Sequence, residues 1–480
     1  MSNSQDALTL AIDVGSSSVR VMIFDPAGNA LDGVFCQQPY EPQTTPDGGA
    51  MSDPDVICSV IYAGIDTALA QAGAAAARID RVALDTLVGN LMGMSADGLP
   101  TTPVYTWADT RGGELGTRLH SLLDAADYTR RTGCRIHTSY WPVRLLWLYE
   151  AEPEAFARSA YWLSLGEYAL CRIFGTRRIS LSTASWSGLL NRHTLDWDAA
   201  TLDCLPVRAE QLSELSGAPF QGLRGEWAAR WPALQNALWF PSIGDGVGSN
   251  LGAGCARADT VAISVGTSGA LRVIVPGTPG ETPDGLFVYR VDEQRSLVGG
   301  ALSNAGNLYA WLNRVLQTGD DLQTQVAAIA PDSHGLTILP FLAGERAPGW
   351  NDDAQAVFMG MTLDTEPVHL VRAGREAVSY RFYQIARRLT PLLPAQIIYI
   401  ASGAPVLNSP VWMQMLADVL GAPVYANAEA EATIRGAAYL ARGITPDPQL
   451  GTGYQPNHSH HMIYQQAIAR QQALYERLLK

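Results

Sequence analysis

The sequence predicts an α/β protein made of two related halves, and three observations carry that reading. The chain has 480 residues, enough for two or three domains. One polar-turn hairpin occurs twice, far apart in the chain. Strand-like and helix-like segments alternate around both copies, the pattern of mixed α/β domains.

The first hairpin opens the chain. Leu8 to Val14 is an apolar run broken only by Thr9 and Asp13; Gly15-Ser16-Ser17-Ser18 follows, then the mostly apolar Val19 to Phe24 and the turn residues Asp25 to Asn29. This reads strand, tight polar turn, strand, turn. Next come a helix over Asp55 to Gln71, strands over Asp80 to Leu87 and Val104 to Trp107, and helices over Pro142 to Glu150 and Ser164 to Phe174. Thr260 to Val265, Gly266-Thr267-Ser268-Gly269 and Ala270 to Val275 then repeat the hairpin. Strands over Leu336 to Leu342 and Ile397 to Ser402 follow it, with helices over His369 to Leu393, Val411 to Leu420 and Ile434 to Gly443. The small residues Gly252 to Ala256 mark the boundary, which divides 1–255 from 256–480.

Written together, LAIDVGSSSVRVMIF and VAISVGTSGALRVIV match at Ala11/Ala262, Ile12/Ile263, Val14/Val265, Gly15/Gly266, Ser17/Ser268 and Ile23/Ile274. A repeat this long suggests tandem domains rather than a solenoid. Gly lets backbone approach a phosphate, while Ser/Thr hydroxyls and turn N–H groups donate to its oxygens. Either turn alone is an ordinary hairpin tip; the pair, facing each other, would hold a polyphosphate from both sides. The first copy carries a carboxylate, Asp13, where the second has Ser264.

Composition narrows the partners. Hydrophobic residues are 47% and charged residues 16%, which suits a folded globular chain. A net charge of −13 disfavours nucleic acid. No apolar run is expected to span a membrane, and the polar Met1 to Ala7 lacks the build of a signal peptide. Six scattered cysteines form no Cys-x-x-Cys pair, so a reduced, cytoplasmic protein is expected. A homodimer is the oligomer considered.

Several segments, in order, resemble the FGGY family of carbohydrate kinases: IDVGSSSVRVMIFD, YTWADTR, TGCRIH, SIGDGVGSNLGAG, SVGTSGALR, GGALSNAGN, FLAGERAPGW, AVFMGMTLDT, ASGAPVLNSPVWMQMLADVLG and IRGAAYLARG. The resemblance runs from about Leu8 to about Gly443. It is strongest to the gluconokinase-like branch at TWADTR, LLWL, GERAPGW and SPVWMQMLADVLG. It implies two actin-like (ribonuclease H-like) domains around a ligand cleft, and ATP-dependent phosphorylation of a sugar or sugar-acid hydroxyl. Gluconate is the leading substrate, with xylulose or another ketose or polyol as the alternative.

The resemblance also assigns residues. Asp245, between two glycines, stands at the family's catalytic aspartate, where a carboxylate takes the proton of the attacking hydroxyl. Asp13 is expected to help hold hydrated Mg²⁺; an acid so late in an apolar strand is costly without a cation. Gly15, Ser16, Ser17 and Arg20 fall at the first phosphate site, and Gly266, Thr267 and Ser268 at the second. Gly403, Ala404 and Asn408 fall where adenosine is enclosed, although Ala404 departs from the family's second glycine. Gly89, Asn90, Trp107, Asp109, Arg111 and Tyr140 are the candidate sugar contacts. Gly89-Asn90 departs from the Met-His-Ser of gluconokinase-like members and supplies no base for a carboxylate, leaving Arg111 or Arg144 to meet one. Glu345-Arg346 reads as an interdomain buttress or a substrate contact. The His458-Ser459-His460-His461 tail reads as a solvated loop. Two readings of other classes remain: an actin-like ATPase without a sugar, and a non-catalytic sugar sensor. The first would lack Trp107-Ala108-Asp109-Thr110-Arg111 and the Asp245 loop; the second would be expected to lose Asp13 or Asp245.

Overall fold

The computed structural model describes residues 7–317 and 321–479. The polar residues 1–6, read above as no signal peptide, lie outside the described part. In the first half, strands β1 (Leu8–Val14), β2 (Ser18–Phe24) and β3 (Ala30–Pro39) form a meander. Helix α1 (Pro54–Ala72) and strand β4 (Ile79–Thr86) follow, then helices α2 (Trp141–Ala151) and α3 (Leu165–Phe174). Short strands β5 (Leu238–Trp239) and β6 (Ile243–Gly244) lead into helix α4 (Asp245–Gly252). The sheet order is β5-β4-β1-β2-β3, with β6 also paired to β4.

The second half repeats this plan. It contains β7 (Thr260–Val265), β8 (Gly269–Pro276), β9 (Phe287–Arg290), β10 (Arg295–Leu302), α5 (Gly306–Val315), α6 (Pro367–Leu389), β11 (Ile398–Ser402), α7 (Pro410–Leu420), β12 (Val424–Asn427), α8 (Ala432–Arg442), β13 (Leu450–Tyr454) and α9 (His458–Leu479). Its sheet runs β9-β10-β8-β7-β11-β12-β13. In each half the hairpin's first strand pairs antiparallel with its second and parallel with a later strand: β1 with β2 and β4, β7 with β8 and β11. Each sheet carries its own core. Ile12, Val21, Ile61 and Leu84 lie in one; Ile263, Val273, Phe382 and Leu416 lie in the other.

The halves meet where α4 crosses α8. Both helices are glycine-bearing because their backbones touch. A Cβ on Gly248 would lie 2.7 Å from the Thr433 carbonyl, and one on Gly436 would overlap the Gly248 carbonyl. Helix α8 also packs on β1, β2 and β4, so a helix from the C-terminal part of the chain covers the first sheet.

Some elements depart from the sequence reading. The strand from Val104 stops at Tyr105, because Thr106 to Arg111 turns away on hydrogen bonds to Ala50 and Gly48. The strand expected over Leu336 to Leu342 is only Thr337–Leu339. The long helix ends at Leu389, and Pro391 sits in the 3₁₀ turn that follows. The histidine tail begins a helix instead of a loop: His460 Nδ1 pairs with Asp418 Oδ2 at 2.8 Å. The segment Pro54–Arg78 is long and apolar enough to cross a membrane, against expectation. Its Ile57, Ile61, Ile65 and Ala68 are buried in the core of the first half.

Candidate active site

A cavity of about 300 Å3 opens between the halves, with walls from both. The first half contributes Ser16, Gly89, Trp107, Tyr140, Trp186 and Asp245; the second contributes Ser264, Gly266, Ser268, Arg272, Tyr289, Arg346 and Trp350. The two hairpin tips and Asp245 are therefore brought to one space. A second hollow, about 750 Å3, also lies between the halves but touches none of these residues.

Asp245 is the first residue of α4, not part of a loop. Its flanking glycines make room for an indole: a Cβ on Gly244 would lie 2.8 Å from Trp186 Nε1, and one on Gly246 2.9 Å from the same ring. Burial raises the Asp245 pKa to about 6, against the pull of the Arg272 charge and with a further push from Asp13. That places it near the range of a general base working close to neutral pH.

Asp13 is the penultimate residue of β1 and is 4% exposed. Arg20, opposite it on β2, donates from Nη1 to Asp13 Oδ2 at 3.0 Å. Arg20 also reaches Glu431 of the second half, at 3.7 Å. On the other side, Asp13 lies in parallel register with Asp85 of β4. Asp85 is fully buried, and neither of its oxygens meets a donor. Burial, and then the Asp13 charge, hold its carboxyl well above the usual range.

The candidate phosphate-loop residues are arranged for access. Ser16, Ser17, Gly266 and Thr267 are exposed at their tips. Gly306 and Asn307, at the start of α5, donate backbone N–H groups to the Gly266 and Thr267 carbonyls and brace the second tip. Gly403 (φ +105°) abuts that tip, since a Cβ there would overlap the Val265 carbonyl. Ala404 and Asn408 bound the short helix after Gly403, and both are exposed.

The candidate sugar contacts divide into two groups. Gly89, Trp107 and Tyr140 line the cavity. Gly89 has φ +66°, and a Cβ there would lie 2.7 Å from the Ser139 carbonyl. The Tyr140 hydroxyl bonds the Tyr289 hydroxyl across the halves. Asn90, Asp109 and Arg111 are not in the cavity wall. Asn90 is buried behind the loop, with Oδ1 accepting from Leu165 N–H at 2.6 Å and its carbonyl accepting from Trp141 Nε1. Asp109 takes the Ala50 N–H and both sides of the Arg111 guanidinium, which lies over Trp147. Arg144 donates to the carbonyls of Gly89, Asp109 and Thr138. These polar residues shape the loop, and neither Arg111 nor Arg144 is free to meet a substrate carboxylate.

Two other arginines line the cavity. Among the described residues no side-chain partner engages the Arg272 guanidinium, and its Nε is buried without an acceptor. Arg346 stacks on Trp107, 4.7 Å from the ring centroid, and donates from Nη2 to the Leu302 carbonyl at 3.1 Å; its Nε lacks an acceptor. Burial lowers both pKa values, that of Arg346 to about 10. Neighbouring Glu345 pairs with Arg381 and accepts from the Tyr475 hydroxyl, so it serves the second half's own interior. Trp186 stacks on Tyr289 at 4.0 Å, and its Nε1 also lacks a partner. Trp350 holds an unusual positive φ of 55° at the cavity wall. Of these residues, only Glu345 and Arg346 were flagged by sequence. Arg272 had one available signal, as the lone charge in the strand after the second phosphate turn.

Two family models cover most of the chain. One described as the FGGY family of carbohydrate kinases, N-terminal domain, matches residues 8–249; the C-terminal domain model matches residues 261–442. Gluconokinase of Bacillus subtilis (strain 168) is 27% identical over 447 residues, covering 90% of this chain and 86% of that protein. The structures of a gluconate kinase and of a ligand-bound xylulose kinase, both from Lactobacillus acidophilus, superpose with TM-scores of 0.91. Each is 25% identical and covers 98% of both chains. The fold is the two-domain actin-like, ribonuclease H-like architecture shared with such sugar kinases.

Proposed function

The chain belongs to the FGGY family of carbohydrate kinases, and from that premise we propose that its substrate is a sugar acid, with gluconate the leading candidate. It is a carbohydrate kinase, and kinases of this family use ATP as phosphoryl donor. The observation that carries the choice of an acid is the pair Arg272 and Arg346. Both line the cavity, both have an Nε without an acceptor, and Asp245 is the one carboxylate among the described residues of that wall. A carboxylate presented there would meet two desolvated guanidinium groups, which suit it in charge and geometry.

The residues fit the chemistry in sequence. Trp107 and Trp186 offer faces and an N–H to the sugar. Asp245 takes the proton of the attacking hydroxyl, whose oxygen bonds the terminal phosphorus as the bond to ADP breaks. Ser16, Ser17, Thr267 and Ser268, with their turn N–H groups, hold the phosphates from the two sides. Arg20 adds positive charge at the first turn, and Gly403, Ala404 and Asn408 bound the adenosine. The acids present fit a magnesium ion, because Asp85 beside Asp13 has two buried oxygens without a donor. Asp13 would hold that ion, which supplies charge neutralisation on the phosphates when bound. In this reading residues 1–255 supply the sugar site and first phosphate turn, and residues 256–480 the second turn and the adenosine site. Six free thiols suit the reducing cytosol, which we propose as its location.

A ketose such as xylulose is the second reading, favoured by the equal likeness to a xylulose kinase structure. Coupled ADP release, screened over aldonates, ketoses and polyols with MgATP, decides between them. An aldonate is expected to give the highest kcat/KM, and Arg272→Gln to raise its KM at least about tenfold, the loss of one charged hydrogen bond. A ketose preferred over every aldonate would overturn the reading.

A further inference from the structure

The second half reaches over the proposed sugar wall of the first through one short segment. Residues 345–352 are cross-tied on themselves. Glu345 N–H donates to the Asn351 carbonyl at 2.9 Å, Trp350 N–H to the Arg346 carbonyl at 2.6 Å, and Gly349 N–H to Glu345 Oε1 at 3.2 Å. Arg381 and the Tyr475 hydroxyl anchor Glu345 inside the second half. A segment tied in this way moves as a unit with its own half, and it carries two cavity-wall residues, Arg346 and Trp350. It meets the first half at two points. One is the Arg346 guanidinium over Trp107. The other is Asp352, whose Oδ1 lies 2.9 Å from Nε2 of His137. Ser139 N–H donates to Nδ1 of His137 at 3.1 Å, so Nε2 carries the proton and donates it to Asp352. The His137 ring also meets the Trp350 ring edge-on, with 5.1 Å between centroids. Ser139 lines the cavity and donates from Oγ to the Trp107 carbonyl at 3.3 Å.

We propose that His137 and Asp352 are positioning residues, whose hydrogen bond latches the two halves beside the cavity and sets Arg346 and Trp350 against the bound sugar. Both stand outside the cavity wall and act through their neighbours: Ser139 and Trp107 on one side, Trp350 and Arg346 on the other. The Asp352 side chain is half exposed, so water replaces the imidazole when the latch opens. That suits a contact that parts to admit sugar and closes over it. The role rests on this cavity holding the sugar, and not on which sugar it is.

The test is steady-state kinetics with whichever sugar the ADP-release screen ranks first, so a wrong choice between aldonate and ketose leaves it intact. Asp352→Ala removes the acceptor. His137→Asn keeps an oxygen for the Ser139 N–H two residues on, but its shorter side chain gives up Asp352. Each is expected to raise the sugar KM roughly fivefold, the worth of one hydrogen bond. The KM for ATP and the melting temperature are expected to stay at the parent's values. Asp352→Asn, whose amide oxygen accepts the same N–H, is expected to recover most of the parent's sugar KM. The double variant His137→Asn/Asp352→Ala is expected to be no worse than the worse single, because both remove one contact. A sugar KM that neither single variant moves overturns the proposal. So do effects that multiply in the double variant, or an Asp352→Asn as impaired as Asp352→Ala. A loss spread over kcat, both KM values and the melting temperature marks a merely structural role and overturns it as well.

Discussion

At the scale of single residues, the site is a contest between burial and charge, and Asp245 shows how it resolves. Its half-buried carboxyl lines the cavity, and burial raises its pKa to about 6. A base must be ionised to work, so kcat/KM should fall about tenfold per pH unit below that value and level off above it. A pH profile of the ADP-release rate, measured with stability checked at each point, tests this; a flat profile between pH 5 and 7 would remove Asp245 from the role. Asp245→Asn keeps the shape and loses the base, and turnover should drop at least about a hundredfold with the nucleotide still bound. Turnover within a few fold of the parent, on the best substrate, would contradict the assignment. Asp245, Ser16, Gly266 and Ser268 were legible in the sequence because each sits in a local motif. Asp85, Trp186, Arg272 and Tyr289 were not, because their meaning arises only when distant segments meet. Asp109 and Arg111 show the converse: they form a local motif, yet their charges are spent on each other and on the Ala50 backbone.

At the scale of elements, helix starts and crossings carry the information. Helix α3 begins with a capping box, in which Ser164 Oγ accepts from Glu167 N–H and Glu167 Oε2 accepts from Ser164 N–H at 2.7 Å. Burial raises the Glu167 pKa to about 7. A folded pKa above the ordinary carboxyl value means that the stability is complete below about pH 4.5. It is lost as pH rises through about 7, where the fold must bury a charge. Gln at this position can make the same cap without that charge. Glu167→Gln should therefore gain on the parent by roughly 2 kcal/mol, a few degrees of melting temperature, between pH 5 and pH 8.5. An unchanged difference across that range would show that the residue stays ionised. The crossing of α4 and α8 makes a second test, because Gly436 has no room for a side chain. Gly436→Ala should cost roughly 1–3 kcal/mol by overpacking, seen in the denaturation midpoint, although alanine is the better helix former. The paired hairpins and major helices were legible because their apolar periods are long and their turns polar. The start of α4 was hidden because Gly-Asp-Gly reads as a turn until Trp186 and α8 are in place against it. Strand ends at Tyr105 and Leu339 are set by tertiary hydrogen bonds that no local pattern records.

At the scale of the whole molecule, the site exists only as a relation between halves. Its floor is already bridged: the Tyr140 and Tyr289 hydroxyls bond across it, and Val288 N–H donates to the Gly133 carbonyl at 3.0 Å. On another side, Arg442 of α8 holds Asp80 at 2.7 Å. The phosphate tips are different, since Ser16, Ser17, Gly266 and Thr267 are exposed and no hydrogen bond joins one tip to the other among the described residues. Closure should therefore pivot near the floor and the α4–α8 crossing, and bring the tips together over the ligands. The chemistry requires such a motion, because transfer needs the hydroxyl in line with phosphorus and water kept out, or ATP is hydrolysed to no purpose. If sugar binds at the bridged floor, as proposed, it should by itself close the cleft partly. A non-hydrolysable ATP analogue added to the sugar complex engages both tips and should close it further. The second hollow between the halves, lined by Phe240 and Pro241 on one side and Arg295 and Leu440 on the other, offers space for the rotation. Small-angle scattering of the free, sugar-bound and doubly bound forms should give a radius of gyration that falls in two steps. If the value stays constant across all three, with binding confirmed by calorimetry, the site is assembled before the ligands arrive and closure is not the means of excluding water.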